Sequence, residues 1–328
     1  MIAAEKQELN KGVDVVLVNW NSGSGLATCL QALGSVADIE IVRSVVVVDN
    51  GSEDGSADGL PDKLGQVPVL VVRNERNCGF GAACNQGVEL GKAPYVLFLN
   101  TDVEVKSGSL AASVAYLDDP THDQVGVCGV QLHGRSGVVA RSCAKFPTAS
   151  SWMGGTVGLD RLGLVSPLFV SGWDHGDTRE VDHVMGAFYL IRRSLFEQLG
   201  GFDTRFFVFY EDLDLSLRAQ QAGWSTVYLA SSSVVHSGEA AARPSAVRQL
   251  YARRSRIAYG YKHFSRPAAT AIALLTLVAE PVVRVAYAAV SRQPSAASAS
   301  IRSTRWLWRD ARALLTGEPI ARSVDAKS

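Results

Sequence analysis

The sequence predicts an α/β protein in which a doubly wound, mainly parallel sheet over residues 13–239 is followed by a basic, amphipathic helical module over 240–328. Three observations predict it. Runs rich in strand-forming apolar types, at 13–18, 45–48, 67–72 and, without a break, 95–99, suit strands buried in a mainly parallel sheet. Helix-patterned stretches are interleaved with them, as right-handed crossovers require. Several of the runs stop abruptly in polar residues, and open α/β sheets bind ligands at the carboxyl ends of their strands.

Composition sets the outer limits. The 328 residues are 47% hydrophobic, ample for a sizeable core in one large or two ordinary domains. Formal net charge is zero, so the total says nothing about partners, but between Ala240 and Arg309 Glu280 is the only acid among twelve Lys and Arg residues. The five cysteines are odd in number and form no CxxC pair. The polar start MIAAEKQELNKG does not read as a signal peptide, so a reduced, cytoplasmic setting is expected.

Along the chain, residues 1–12 read as a disordered lead-in. The first strand runs into Asn19-Trp20-Asn21, and a helix follows with Leu26, Leu30 and Leu33 on one face. The strand at 45–48 ends in Asp49-Asn50-Gly51-Ser52-Glu53-Asp54. After the strand at 67–72 comes Asn77-Cys78-Gly79-Phe80-Gly81 and a helix over about 82–90. Gly79 and Gly81 do not make a dinucleotide fingerprint, because Cys84 stands at its third position and the motif follows a later strand. They suit close approach of backbone to a ligand, or a plain loop into a helix. The strand at 95–99 is expected at the centre of the sheet and delivers Asn100-Thr101-Asp102. That triplet is either a turn or a pair of hard oxygen donors for Mg²⁺ or Mn²⁺.

A helix over 110–117 and a strand over 125–130 lead into a long irregular excursion, 134–180, holding Trp152 and Trp173. Those rings either stack on a sugar or anchor the loop. The apolar run 181–191 contains Gly186, a place where something approaches the backbone closely. A short helix over 193–199 is closed by Gly200-Gly201. Four aromatics in 206–210 then deliver Glu211 and Asp212; Asp214 pairs with Arg218 one turn on, but the adjacent acids have no such explanation. A strand over 224–229 leads to His236, a structural histidine or a metal ligand. In the tail, Leu250, Ile257, Tyr261 and Phe264 form an apolar stripe with Arg253 and Arg256 displaced from it. Glu280, Pro281 and Arg284 interrupt the uncharged run 268–279 before it reaches spanning length. The module reads as an interfacial element on an anionic membrane, with Arg253, Arg254 and Arg256 toward a lipid-borne acceptor, or as a cap on the domain. No nucleic-acid module is recognised.

The ordered set VNWN (18–21), VVVVDNGSEDGS (45–56), RNCGFGAACNQG (76–87), VLFLNTD (96–102), MGAFYLIRR (185–193), GGFDTRFFVFYEDLDLSLR (200–218) and VVHSG (234–238) resembles the inverting family 2 glycosyltransferases of the GT-A fold, over 13–238. Within them it looks most like bacterial rhamnosyltransferases of cell-wall linker and surface polysaccharide synthesis. The resemblance implies a nucleotide diphosphate sugar as donor, dTDP- or UDP-linked and best matched by dTDP-rhamnose, and a lipid-linked glycan as acceptor. Asp49 would accept from the pyrimidine, with Asn19 and Asn21 lining that pocket and Asn77, Gly79, Phe80, Gly81 and Gly186 close to the donor. Asn100 to Asp102 occupy the place of the Asp-x-Asp motif, so Asp102 would hold the metal, His236 would complete it, and Asn100 departs from the pattern as a neutral amide. Asp212, with Glu211 beside it, matches the base. One base suffices, because a diphosphate leaves without a general acid.

The Gln-x-x-Arg-Trp motif and spanning helices of processive members are not evident, so one sugar is expected per acceptor. The enzyme is expected to sit peripherally on the inner face of the cell membrane. Two other classes compete on this fold: a non-catalytic nucleotide-sugar-binding adaptor, which requires the Glu211-Asp212 pair to face away from the cleft, and a nucleotidyltransferase, which lacks its glycine-rich basic loop here. Oligomeric state is not readable from the sequence.

Overall fold

A computed structural model describes residues 12–159, 163–165, 170, 172–238, 245–318, 320 and 322–323. Residues 1–11 of the lead-in expected at 1–12, Arg243 and parts of the 134–180 excursion lie outside the described residues. The strands are β1 (Val13–Asn19), β2 (Val42–Asp49), β3 (Lys63–Leu64), β4 (Val67–Arg73), β5 (Tyr95–Leu99), β6 (Val103–Val105), β7 (Val125–His133), β8 (Cys143–Ala144), β9 (Arg179–Val181), β10 (His183–Val184), β11 (Phe188–Arg192) and β12 (Ser225–His236). The α-helices are α1 (Gly25–Ser35), α2 (Phe80–Glu89), α3 (Ser109–Asp118), α4 (Ala149–Thr156), α5 (Arg193–Gln198), α6 (Glu211–Gln221), α7 (Ala246–His263), α8 (Arg266–Leu274), α9 (Glu280–Val290), α10 (Pro294–Arg309) and α11 (Ala311–Thr316).

Two compact units emerge. The first comprises Met1–Lys145, Phe169–Asp203 and Asp212–Gly238; the second comprises Phe146–Leu168, Thr204–Glu211 and Glu239–Ser328. The second thus takes in two segments, 146–168 and 204–211, that the sequence assigns to the sheet domain.

In the first unit ten strands form one sheet, ordered β3-β4-β2-β1-β5-β11-β7-β12-β6, with β9 also paired to β12. From β4 through β2 and β1 to β5 the pairing is parallel. Beyond β5 it is mixed: β11 runs antiparallel to both β5 and β7, and β12 is parallel to β7. Central β5 is buried on both faces. Tyr95, Leu97 and Leu99 join one core with Leu26, Leu30 and Leu33 of α1, while Val96 and Phe98 join another with Cys84 and Val88 of α2. Each such side chain removed from water contributes about 1.5–3 kcal/mol, which fixes the register: a slip of one residue would exchange the faces. Asp14 is the buried charge in β1. It accepts from Ser44 Oγ (2.6 Å), Ala93 N (2.7 Å) and Arg193 Nη2 (2.8 Å), so its charge is fully partnered.

The second unit is helical. Leu250 and Ile257 of α7, Leu277, Trp306 and Leu307 of α10, and Leu314 form its core. Trp152, expected in an irregular loop, lies on α4, whose start is closed by a reciprocal Thr148–Ser151 capping box. It is 6% exposed and packs edge-on against Tyr210, Tyr259 and Phe264, so here it anchors the unit.

The tail differs from the reading of a short apolar run beside free arginines. Helix continues through residues 266–290, with one π turn at Leu275–Ala279, giving 25 residues long and apolar enough to cross a membrane by length and composition; 39% of its most apolar window is buried in the protein. Pro281 does not end it. Having no N–H, Pro281 leaves the Leu277 carbonyl without its helical donor, and Trp308 Nε1 donates to that oxygen at 2.8 Å instead. Nor are the three arginines a free surface. Arg253 is 2% and Arg254 6% exposed; Arg254 pairs with Asp310, an acid one residue past the acid-poor stretch, while Arg253 and half-buried Arg256 pair with Glu280. Burial of so many guanidinium groups is tolerated because each meets a carboxylate or hydroxyls.

Candidate active site

The carboxyl ends of β1, β2 and β5 lie side by side, with Asn19 opposite Asp49 and Leu17 opposite Leu99. Asn19 and Asp49 are buried, and Asn19 Nδ2 donates to Asp49 Oδ1 at 2.9 Å and to Ser52 and Ser56 at 3.0 and 2.9 Å. Asn21 accepts from Glu53 N at 2.8 Å, and its own N–H donates to Ser52 Oγ. The two polar strand ends predicted separately are therefore one clasp. Arg73 Nη1 lies 3.8 Å from Asp49, leaving that carboxylate an acceptor with one cation nearby.

Asn50, which the sequence reading passed over, fastens the glycine-rich segment to this clasp. Its Nδ2 donates to Asn77 Oδ1 (2.9 Å) and Gly79 O (3.2 Å), and its Oδ1 accepts from Cys78 N (3.1 Å). Asn77 Oδ1 in turn accepts from Gly79 N at 2.9 Å. Gly79 sits at φ +96°, a conformation that costs a side-chain-bearing residue, and it opens α2 where Phe80 and Gly81 begin the helix.

Beyond β5, Asn100 N donates to Ala187 O at 3.0 Å, joining the Asn100–Asp102 segment to Gly186–Ala187. β6 pairs with the end of β12, Val103 opposite His236, and so brings His236 Nε2 to 3.2 Å from Asp102 Oδ1. Burial alone would raise the Asp102 carboxyl, but the hydrogen bond and charge of His236 and backbone donors outweigh it and hold it below the usual carboxylate range. Among the described residues no group of three or more His, Cys, Asp and Glu side chains forms a closed metal cage. One carboxylate and one imidazole, both partly open to solvent, would suit a divalent ion that finds its other ligands outside the protein.

Asp212 lies in the first turn of α6. Its Oδ2 accepts from Gly186 N at 2.9 Å, and its Oδ1 from Leu213 N at 2.8 Å. A Cβ on Gly186 would stand 2.9 Å from that Oδ2, so the close approach expected at Gly186 is that of Asp212 itself. Glu211 is 5% exposed and falls in the second unit.

His183 is a site residue that sequence reasoning missed. Its Nδ1 lies 3.0 Å from Ser216 Oγ and its Nε2 3.6 Å from Asp212 Oδ2. Burial pushes the imidazole below its ordinary value despite the opposing charge of Asp212, so it is neutral at pH 7. Trp173 is held by its surroundings: Nε1 donates to Asp177 at 2.7 Å, the ring stacks on His175 at 4.2 Å, and the Arg179 guanidinium lies 4.1 Å above it. It reads as a loop anchor, as does Trp152.

A family profile described as glycosyltransferase-like family 2 matches residues 11–260. The chain is 31% identical over 242 residues to the N-acetylglucosaminyl-diphospho-decaprenol L-rhamnosyltransferase of Mycobacterium tuberculosis H37Rv, covering 68% of this chain and 75% of that protein. It is 30% identical over 142 residues to the rhamnosyltransferase WbbL of Escherichia coli K12, covering 43% and 52%. Among solved structures, the mannosyltransferase PcManGT of Pyrobaculum calidifontis, in complex with GDP-Man and Mn²⁺, superposes with TM-score 0.53 at 18% identity, covering 94% of this chain and 84% of that one. GalNAc-T7 with UDP, GalNAc and Mn²⁺ gives TM-score 0.53 at 20% identity over 69% of this chain and 43% of that one. These two likenesses show the GT-A fold.

Proposed function

This chain belongs to the family 2 glycosyltransferases, and from that premise we propose that it transfers one L-rhamnosyl unit, with inversion, from dTDP-rhamnose to a lipid-linked glycan acceptor. The observation that supports it most is Asp212. Its carboxylate is held by Gly186 N, next in the chain to Ala187, whose carbonyl accepts from Asn100 N; the base and the Asp102–His236 pair thus share one sheet edge. The rhamnosyl specificity leans on the two relatives named for it.

In this reading Asp49 and Asn19 receive the pyrimidine and its ribose, and the Asn77–Gly81 segment, pinned by Asn50, approaches the donor through its backbone. Asp102, His236 and the Asn100 amide would hold the divalent ion, which when bound neutralises the charge of the departing diphosphate. Asp212 takes the proton from the acceptor hydroxyl as that oxygen bonds to the anomeric carbon. The bond from that carbon to the phosphate oxygen breaks with its electron pair, so the nucleoside diphosphate leaves without needing a proton. Neutral His183 adds no positive charge beside Asp212.

The test is transfer from dTDP-rhamnose to an N-acetylglucosaminyl diphospho-lipid, with the product anomer read by NMR. Inversion is expected, with activity lost in excess chelator. Asp102→Ala should weaken dTDP binding and abolish its dependence on Mn²⁺. Retention at the anomeric carbon, or full activity in chelator, would overturn the mechanism. dTDP-rhamnose that neither binds nor reacts where another nucleotide sugar does would overturn the donor.

The acceptor's lipid requires a route onto the bilayer. Leu274, Val278, Val282 and Val290 are exposed at multiples of four residues along the 266–290 helix, with Ile301 and Trp308 exposed on α10. Exposed Arg302, Arg305 and Arg309 accompany them on α10. An apolar face of this size beside cations suits peripheral binding to an anionic leaflet.

A further inference from the structure

We propose that an arginine-lined cavity in the second unit is the subsite for the diphosphate group of the acceptor; the inference rests on the transferase reading above and adds what part of the acceptor is recognised. The cavity has a volume of about 300 Å³, at the lower end of the range for small-ligand sites, and its lining includes Arg248, Arg253, Arg256, Arg284 and Glu280.

Three of these arginines converge on one carboxylate. Arg284 Nε donates to Glu280 Oε1 at 2.6 Å, Arg253 Nε lies 3.3 Å from the same oxygen, and Arg256 bonds to Oε2. Glu280 is 2% exposed and Arg253 is equally buried. Arg253 Nη1 donates to Ser303 and Thr304 Oγ atoms at 2.9 and 3.1 Å and Nη2 to Ser300 at 3.4 Å, but the buried Nε atoms of Arg253 and Arg256 make no hydrogen bond. Guanidinium groups stay charged. Arg253 and half-buried Arg256 face the single carboxylate of Glu280, leaving one positive charge over, and exposed Arg284 and half-buried Arg248 add further cations at the cavity lining.

An anion in the cavity offsets that charge. Four arginines against one carboxylate line it, more positive charge than a single-charged group would match. A diphosphate joining a lipid to a sugar ionises once on each phosphorus, and its non-bridging oxygens match the fork geometry of guanidinium groups. The aromatic wall of the cavity points the same way. Phe209 and Tyr210 both sit at positive φ, +70° and +67°, a strained conformation that persists only where the surroundings impose it. Tyr210 stands two residues before Asp212 in the chain.

The experiment is calorimetric titration of the full-length protein with inorganic diphosphate and with farnesyl diphosphate, the donor site saturated with dTDP, using glycerol phosphate as the monophosphate arm. Wild type is expected to bind both diphosphates and to bind glycerol phosphate at least tenfold more weakly. Arg248→Gln with Arg284→Gln should weaken diphosphate binding about tenfold or more, the scale of losing charge-assisted hydrogen bonds, and should raise KM for the lipid-linked acceptor without changing dTDP affinity. The exposed pair Arg266→Gln with Arg312→Gln is the control and should bind diphosphate as wild type does. No diphosphate binding by wild type, equal binding of glycerol phosphate, or a loss shared by the control pair would overturn the subsite. Transfer with an unchanged acceptor KM in the Arg248/Arg284 variant would also overturn it while leaving the transferase reading intact. Diphosphate binding lost in that variant, with no lipid-linked acceptor used by wild type, would instead remove the acceptor assignment and the transferase reading together, leaving an anion site.

Discussion

Asp212→Asn keeps an oxygen to accept from Gly186 N but removes the proton acceptor, so donor binding should persist while transfer falls by roughly 10²-fold or more. Turnover within a few-fold of wild type would remove Asp212 from the role. His183→Phe leaves the carboxylate in place but without the imidazole beside it. About a tenfold fall in kcat is expected at unchanged dTDP affinity, the scale of a slightly misplaced reacting group, together with a shifted acid limb of the pH–rate profile. A loss of stability with an unmoved profile would make His183 merely structural. Asp212 was legible because an acid pair behind an aromatic run had no local explanation. His183 was not, since a lone histidine in an apolar stretch reads as core, and only the meeting of β10 with α6 brings it to the acid. Asn50 escaped for a similar reason: in a run of turn-forming residues nothing local distinguishes it from its neighbours.

At the scale of elements, the 266–290 helix depends on Glu280, whose carboxyl is held down to about 2 by its three arginines even though burial opposes this. The folded value lies below the ordinary 4.5, so the stabilisation is complete above about pH 4.5 and is lost as pH falls toward 2. A shift of that size is worth roughly 3 kcal/mol. Urea unfolding followed by the fluorescence of buried Trp152 and Trp306 should therefore show stability dropping across that window, and Glu280→Gln should flatten the drop. An identical acid limb in the variant would show that the stabilisation resides elsewhere. The strands β1, β2 and β5 were readable because burial on both faces leaves long apolar stretches, and β4 because Val69–Val72 is apolar even though Leu70 and Val71 are exposed. The long helix was not: Pro281 and a charged residue are ordinarily stop signals, and the groups that cancel them, Trp308 and the arginines of α7, are distant in sequence.

For the whole molecule, the expected behaviour is co-sedimentation with anionic vesicles that weakens with salt, because exposed charges are screened beyond about 8 Å at physiological ionic strength. Replacing Arg302, Arg305 and Arg309 with Gln should lower vesicle affinity by tenfold or more, at on the order of 1 kcal/mol per cation, and Val278→Asp with Val282→Asp should lower it without removing the salt dependence. A protein that ignores such vesicles at low salt would have these helices as a cap. The basic character of the tail was plain in the sequence, but which arginines face outward was not, since Asp310 lies just past the acid-poor stretch and burial is set by packing. The division into units also has a practical consequence. The chain changes unit five times, at 145/146, 168/169, 203/204, 211/212 and 238/239. A clone stopped at residue 238 would therefore not yield a self-sufficient sheet domain. It would strand Trp152 without Tyr259 and Phe264, and Phe207 without Tyr251, exposing aromatic surface on two internal segments. The C-terminal helices are thus no detachable appendage, and chimeras that exchange tails between relatives would have to exchange 146–168 and 204–211 with them.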